Sequence, residues 1–126
     1  MKKVQVENTP IPLGHYSQAI VSNGLLFTSG ILPIKIQNSE KLPPDSSIEE
    51  QLGVVLENLN AILESVGSSK DKVVKTTIFI SNGDHWGIVN KTYAEFFGEH
   101  RPARSIVPVK DLHYGFQIEL EAIAEV

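Results

Sequence analysis

A chain of 126 residues is long enough for one domain with a single core, and its 41% hydrophobic and 21% charged content place it among soluble globular proteins. The absence of cysteine excludes disulfides, thiolate catalysis and sulfur-ligated metals, and no stretch approaches the ~18 apolar residues of a membrane span. A net charge of −4 supplies no basic field for sequence-independent phosphate binding, so nucleic acid is not the expected partner.

The opening Met1-Lys2-Lys3-Val4-Gln5-Val6-Glu7 has a basic pair but turns polar at once, which predicts no secretory leader and a cytoplasmic protein. Asn23-Gly24, between the apolar runs at 18–22 and 25–29, predicts two strands joined by a two-residue type I′ turn. Gly30 ends the second strand, and residues 33–44, with three prolines, read as an exposed loop with a short edge strand inside it. Ser47 and Glu50 have capping-box spacing ahead of a helix. Ile48, Leu52, Val55, Leu59, Ile62 and Val66 recur at alternating steps of four and three, a one-sided stripe that stops at Gly67. Residues 73–80 are β-branched and of strand length. Asn82-Gly83-Asp84 then turns into a second helix carrying Trp86, Val89, Tyr93, Phe96 and Phe97, with Gly98 as its stop.

Two final strands, at 105–109 and 116–124, complete the order ββ, α, β, α, ββ. This order predicts a single α+β domain over 1–126, a mixed sheet with two helices packed on one face. No repeat or linker divides it. Along the last strand, Phe116, Ile118, Leu120, Ala122 and Ala124 point one way and Gln117, Glu119, Glu121 and Ile123 the other. The apolar side belongs under the helices. The side carrying the carboxylates is either a solvated face or, where sheets of several subunits meet, a partly closed polar site.

The chemistry concentrates in the last quarter. Arg101-Pro102-Ala103-Arg104-Ser105 enters one strand, and Glu119 and Glu121 lie on the next, a constellation that can hold a small carboxylate and position a water. His15, His85, His100 and His113 have no short ligand spacing and no clustered acid partner, so no metal site is expected.

Five blocks of the chain, 14–19, 28–30, 89–97, 102–105 and 118–124, resemble the RidA (YjgF) family in order and separation. They read Gly-His-Tyr-Ser-Gln-Ala, Thr-Ser-Gly, Val-Asn-Lys-Thr-Tyr-Ala-Glu-Phe-Phe, Pro-Ala-Arg-Ser and Ile-Glu-Leu-Glu-Ala-Ile-Ala. The resemblance covers nearly the whole chain and implies a chorismate-mutase-like α+β fold, assembled as a homotrimer with its active sites in clefts between subunits. It also implies enamine/imine deaminase activity, the hydrolysis of 2-aminoacrylate (2-iminopropanoate) and 2-iminobutanoate to 2-oxo acids and ammonia, with no metal or organic cofactor. By the match, Arg104 binds the substrate carboxylate and Glu119 positions the attacking water, with Glu121 as the alternative base. Tyr16 supplies a pocket wall and a hydroxyl, Gly30 permits close approach to the substrate, Asn90 steadies the pocket, and Ser29 and Ile106 complete its lining. Structural alternatives stand beside each role: an ordinary ion pair for Arg104, a solvated face for both glutamates, simple packing for Tyr16, a hairpin end for Gly30 and a helix-to-strand hydrogen bond for Asn90.

The chain departs from the family pattern where cysteine commonly follows the Arg-Ser pair and Ile106 stands here. Ile31 replaces a frequent glutamine, His15 a frequent proline, and Leu112-His113-Tyr114-Gly115 the usual Leu-Pro-Lys-Asp. His15 and His113 therefore read either as a titrating rim or as loop residues without function. Two other function classes remain open: a non-enzymatic, metabolite-binding regulatory trimer, and the endoribonuclease or translation inhibitor label attached to parts of the family, which the acidic composition disfavours.

Overall fold

The computed structural model describes residues 1–126. Six strands form one sheet: β1 (Lys2–Val4), β2 (Ala19–Ser22), β3 (Leu25–Thr28), β4 (Val73–Ile80), β5 (Ala103–Pro108) and β6 (Ile118–Glu125), in the spatial order β1-β2-β3-β6-β4-β5. All neighbours are antiparallel except β4 and β5, which pair in parallel because a helix connects them. The two helices are α1 (Ile48–Ser65) and α2 (Trp86–Phe97).

Local chemistry accounts for most boundaries. Asn23 and Gly24 take φ of 52° and 77°, the paired left-handed conformations of a type I′ turn, and asparagine and glycine are the residues that adopt them at least cost. At the start of α1 the Ser47 hydroxyl accepts the Glu50 amide at 3.1 Å. At its end the amides of Gly67 and Ser68 donate to the carbonyls of Glu64 and Leu63, a Schellman closure that Gly67 permits with φ 74°. Gly98, at φ 66°, closes α2 as expected.

The stripe of α1 seats Leu52, Val55, Leu59 and Leu63 with no solvent exposure against Ile78 and Ile80 of β4 and Ile118 and Leu120 of β6. Burying each such side chain contributes about 1.5–3 kcal/mol before the entropy of ordering is subtracted. β6 alternates as predicted: Ile118, Leu120, Ala122 and Ala124 are buried, and Glu119, Glu121 and Ile123 lie on the other face. Register extends this division across the sheet. Thr76, which bonds Tyr93 of α2, stands opposite both Ala122 and Arg104, so all three belong to the helix face. Phe79 stands opposite Glu119 and Val107, and Thr77 opposite Glu121 and Ser105, on the open face. Ile20, Phe27 and Ile123 are aligned there as well. No element of the chain covers that face, and no helix is long and apolar enough to cross a membrane.

Three expectations change. The sequence pattern did not indicate β1: Lys2, Lys3 and Val4 are too few to show alternation, and pairing with β2 makes them a strand. Residues 33–44 form a loop that is exposed over most of its length, as expected, but without an edge strand. Their ladder is a single bridge between Ile34 and Lys41, and Pro33 is buried. The buried Asn58 of α1 pins the segment, donating to the Ile34 carbonyl at 2.7 Å and accepting the Ile36 amide at 3.1 Å. Finally, Trp86 is about half exposed (49%) rather than part of the core face of α2.

Candidate active site

Arg104 enters on β5, with its side chain on the helix face under α2. Its Nη1 donates to Asn90 Oδ1 at 3.0 Å, and its Cζ lies 4.8 Å from the Tyr93 ring centre and 5.7 Å from that of Trp86. Trp86, Asn90 and Tyr93 occur at steps of four and three, one face of the helix, so α2 presents a hydrogen-bond acceptor flanked by two aromatic rings to the guanidinium. Tyr93 is held in turn by a 2.7 Å bond between its hydroxyl and Thr76 Oγ1. Burial pushes the Tyr93 phenol above its ordinary range, against the opposing effects of the Thr76 bond and the Arg104 charge, so it stays neutral.

The chain's ion pairs are Lys35 with Glu40 and Lys91 with Glu95; Arg104 has no carboxylate partner. The ion-pair alternative therefore falls. The guanidinium is oriented but uncompensated, and with Asn90, Tyr93, His100 and Arg101 it lines a cavity of about 550 Å³. Such an arginine is prepared for an anion from outside the chain. Asn90 has the role of an orienting acceptor. Ile106 packs against the core two residues further along the same strand face and does not line this cavity.

Glu119 belongs to a second cluster. The amide and carbonyl of Ile31 pair reciprocally with Leu120 at 2.7 and 3.1 Å, which lays Gly30 against β6 beside Glu119. A Cβ on Gly30 would sit 2.8 Å from Glu119 Oε2 and 2.9 Å from its Cδ. The missing side chain thus makes room for the carboxylate itself, a more specific use than the hairpin end. Partial burial, reinforced by Glu121 and opposed by His113, raises the Glu119 pKa above the usual glutamate range. Glu121 is fully on the exposed side of the strand.

Gly30 also borders a cavity of about 440 Å³, lined by Tyr16, Ser29 and His113 among others, of whose lining Glu119 is not a part. Tyr16 is 57% exposed at its rim. The Ser29 hydroxyl donates to the Ser17 carbonyl at 2.6 Å, so it braces the segment that carries Tyr16. His113 is presented by a tight turn in which Tyr114 and Gly115 both take left-handed φ, and its ring lies 3.7 Å from that of Tyr114. Of the two histidines left open by sequence, His113 lines the cavity and His15 does not.

Within one chain, then, the predicted residues form two groups. Arg104 with Asn90 is on the helix face of the edge strand β5, and Glu119, with Gly30, Ser29 and Tyr16 nearby, stands two strands away with its side chain on the opposite face. The two strands that follow one another in sequence are not neighbours in the sheet: β4 lies between, a lateral gap of about 10 Å at the ordinary strand spacing. Sequence reasoning also assigned Trp86 and Tyr93 only to a core. Their spacing with Asn90 was the available signal, but its meaning depends on Arg104 lying across from α2.

The sequence model of the family described as Endoribonuclease L-PSP matches residues 6–126. The chain belongs to this family, the YjgF/RidA family. It is 43% identical to a RutC family protein of Pyrococcus horikoshii, over 94% of this chain and 92% of that one. It is 37% identical to the 2-iminobutanoate/2-iminopropanoate deaminase of Escherichia coli K12, over 98% and 96% of the two chains. Among solved structures, the YjgF gene product of E. coli superposes with a TM-score of 0.90 at 35% identity, covering 99% of this chain and 98% of that one. The α+β architecture is therefore that of the family, and some of its members are named imine deaminases.

Proposed function

We propose that the protein is a hydrolytic deaminase of 2-imino and 2-enamino acids, converting three- and four-carbon imines to 2-oxo acids and ammonia. The observation that carries this is Arg104: a guanidinium fixed by Asn90 and Tyr93, without a carboxylate partner, beside an open cavity. The name of the E. coli relative supports the same chemistry. Arg104 takes the substrate carboxylate through its fork of donors, and the positive charge draws electron density away from the adjacent C=N carbon. Glu119, whose raised pKa makes it a stronger base than an ordinary carboxylate, takes a proton from water as the oxygen bonds to that carbon. Glu119 returns that proton to the nitrogen, and the tetrahedral adduct, passing its hydroxyl proton to the same nitrogen, expels ammonia and leaves the 2-oxo acid. Water is the only co-reactant, so the reaction needs no cofactor.

Because Arg104 and Glu119 stand on opposite faces of their own sheet, the proposal places each site between two chains. A homotrimer that packs the open faces around Ile20, Phe27, Ile123 and Val107 would cover apolar surface and bring Arg104 of one chain to Glu119 of the next. The protein would act in the cytoplasm, where pyridoxal-phosphate enzymes release such imines. Nothing in the charge distribution favours RNA as substrate.

The test is the rate of 2-oxobutanoate and pyruvate formation from imines generated by threonine or serine dehydratase, with wild-type protein and Arg104→Ala. Acceleration by wild type alone is expected. Equal acceleration by both would remove Arg104 from the site, and acceleration by neither would remove the activity.

A further inference from the structure

Trp86 is the only tryptophan of the chain, and its indole stands half exposed at the first residue of α2. A ring left in water to that extent adds little to the core, where α2 contributes Val89, Tyr93 and Phe97. Nor does the indole hold the turn that precedes it. There the Asn82 side chain accepts the Asp84 amide at 2.9 Å, and the Asn82 carbonyl accepts the His85 amide at 3.1 Å. The same turn rests near the end of β5, since a Cβ on Gly83 would stand 3.9 Å from Pro108 Cγ. What the indole does meet is the guanidinium of Arg104, whose Cζ is 5.7 Å from the ring centre.

That guanidinium lies between two rings. Trp86 and Tyr93 are seven residues apart on one face of α2, about 10.5 Å along its axis at the ordinary helical rise. Arg104 Cζ is 5.7 Å from one ring centre and 4.8 Å from the other, and the two distances together span that separation. Asn90 and Tyr93 also line the cavity beside Arg104, whereas Trp86 does not, so the indole backs the guanidinium on the side away from the cavity. A guanidinium donates only in its own plane. Rings on either side therefore restrain it without using a donor that a carboxylate needs, and Asn90 takes one in-plane N–H. Tyr93 is itself fixed by Thr76 and closes the inner side. Trp86 closes the outer one.

We infer that Trp86 is a positioning residue for Arg104: its aromatic face holds the guanidinium fork in the orientation that the carboxylate of the substrate meets. The inference rests on the deaminase proposal for the identity of that carboxylate, but the restraint itself is read from the placement of the two rings. Loss of the indole changes neither the charge of Arg104 nor the carboxylate of Glu119. It loosens the fork, so binding weakens and KM rises while kcat stays in place. A cation beside an exposed ring contributes enough to change affinity about two- to fivefold.

The test compares wild type with Trp86→Leu, which keeps an apolar side chain, and Trp86→Phe, which keeps an aromatic face. Calorimetry measures binding of the product 2-oxobutanoate, the dehydratase-coupled assay gives KM and kcat, and thermal melting checks the fold. Trp86→Leu is expected to raise both the Kd of 2-oxobutanoate and KM about three- to fivefold, with kcat and Tm nearly unchanged. Trp86→Phe should stay within about 1.5-fold of wild type. As the sole tryptophan, Trp86 also reports on the site: 2-oxobutanoate should change its emission with the calorimetric midpoint in wild type and leave it unchanged in Arg104→Ala. Unaltered Kd and KM in Trp86→Leu overturn the inference, as do an equal loss in Trp86→Phe, a fall in kcat at constant KM, or failure of 2-oxobutanoate to bind the wild type. If no imine is hydrolysed, the deaminase proposal fails by itself, and the 2-oxobutanoate affinities still decide the role of Trp86.

Discussion

Gly30→Ala tests the contact that links the hairpin to Glu119. The added Cβ would stand 2.8 Å from Oε2, 2.9 Å from Cδ and 3.3 Å from Cγ of Glu119, where ordinary contact begins near 3.4 Å. The nearest backbone is not involved, so the side chain of Glu119 yields by about 0.5–1 Å and the strands stay in place. Gly30 does not have a left-handed φ, and alanine narrows the unfolded ensemble. Stability should thus change by no more than about 1 kcal/mol in either direction, a shift of a few degrees in Tm. Catalysis is less tolerant, because displacing a reacting group by about 1 Å can cost on the order of 100-fold. The dehydratase-coupled assay should show kcat reduced about 10- to 100-fold, with Tm nearly unchanged. Full turnover in a folded Gly30→Ala protein would refute the placement of the base, and a large loss of Tm would show that the backbone rather than Glu119 gives way.

Other substitutions separate orientation from charge. Arg104→Lys retains the positive charge but loses the planar fork, so kcat/KM should fall about 100-fold while the fold is kept, as read by the same assay and by thermal melting. Tyr93→Phe leaves the fully buried Thr76 hydroxyl without its partner and should destabilise by about 1–3 kcal/mol in urea unfolding. Glu119→Gln should abolish turnover yet raise Tm at neutral pH. A carboxyl whose pKa is higher in the folded chain than in the unfolded one binds its proton more tightly when folded, so it costs stability as pH rises through that interval. The stability advantage of the glutamine variant should therefore vanish in melts near pH 4 and be complete above the raised pKa. In the wild type, kcat/KM should climb with pH through that same raised value.

What sequence could reveal depended on whether the signal was local. The α1 stripe, the Asn23-Gly24 turn and the alternation along β6 are properties of consecutive residues, and each was legible. Glu119 on the polar face of its strand was legible for the same reason. By contrast, the face that Arg104 occupies follows from its parallel register with Thr76, which depends on how α2 returns the chain to the sheet. The same distant pairing gives Trp86 and Tyr93 their place around the guanidinium. The wall at 34–36 is held by Asn58 from more than twenty residues away, so its composition alone suggested only an exposed loop. Residue types could name the candidates, but only register shows that Arg104 and Glu119 cannot meet within one sheet.

That separation makes the division of labour between chains directly measurable. Arg104→Ala and Glu119→Gln each remove one half of the proposed site, and neither alone should turn over imine. When the two are unfolded, mixed in equal amounts and refolded together, an intact site forms wherever an Arg104 from the glutamine variant meets a Glu119 from the alanine variant. For sites built across two chains in a closed assembly, random mixing restores about one quarter of wild-type activity, whatever the number of subunits. If both residues instead served one site within a single chain, every chain in the mixture would carry a defect and recovery would be zero. Separately refolded variants mixed afterwards should recover only as fast as subunits exchange, a time course that reports the lifetime of the interface. Zero recovery in co-refolded material of native size would refute the shared site, because the geometry of the sheet leaves Arg104 no route to Glu119 of its own chain.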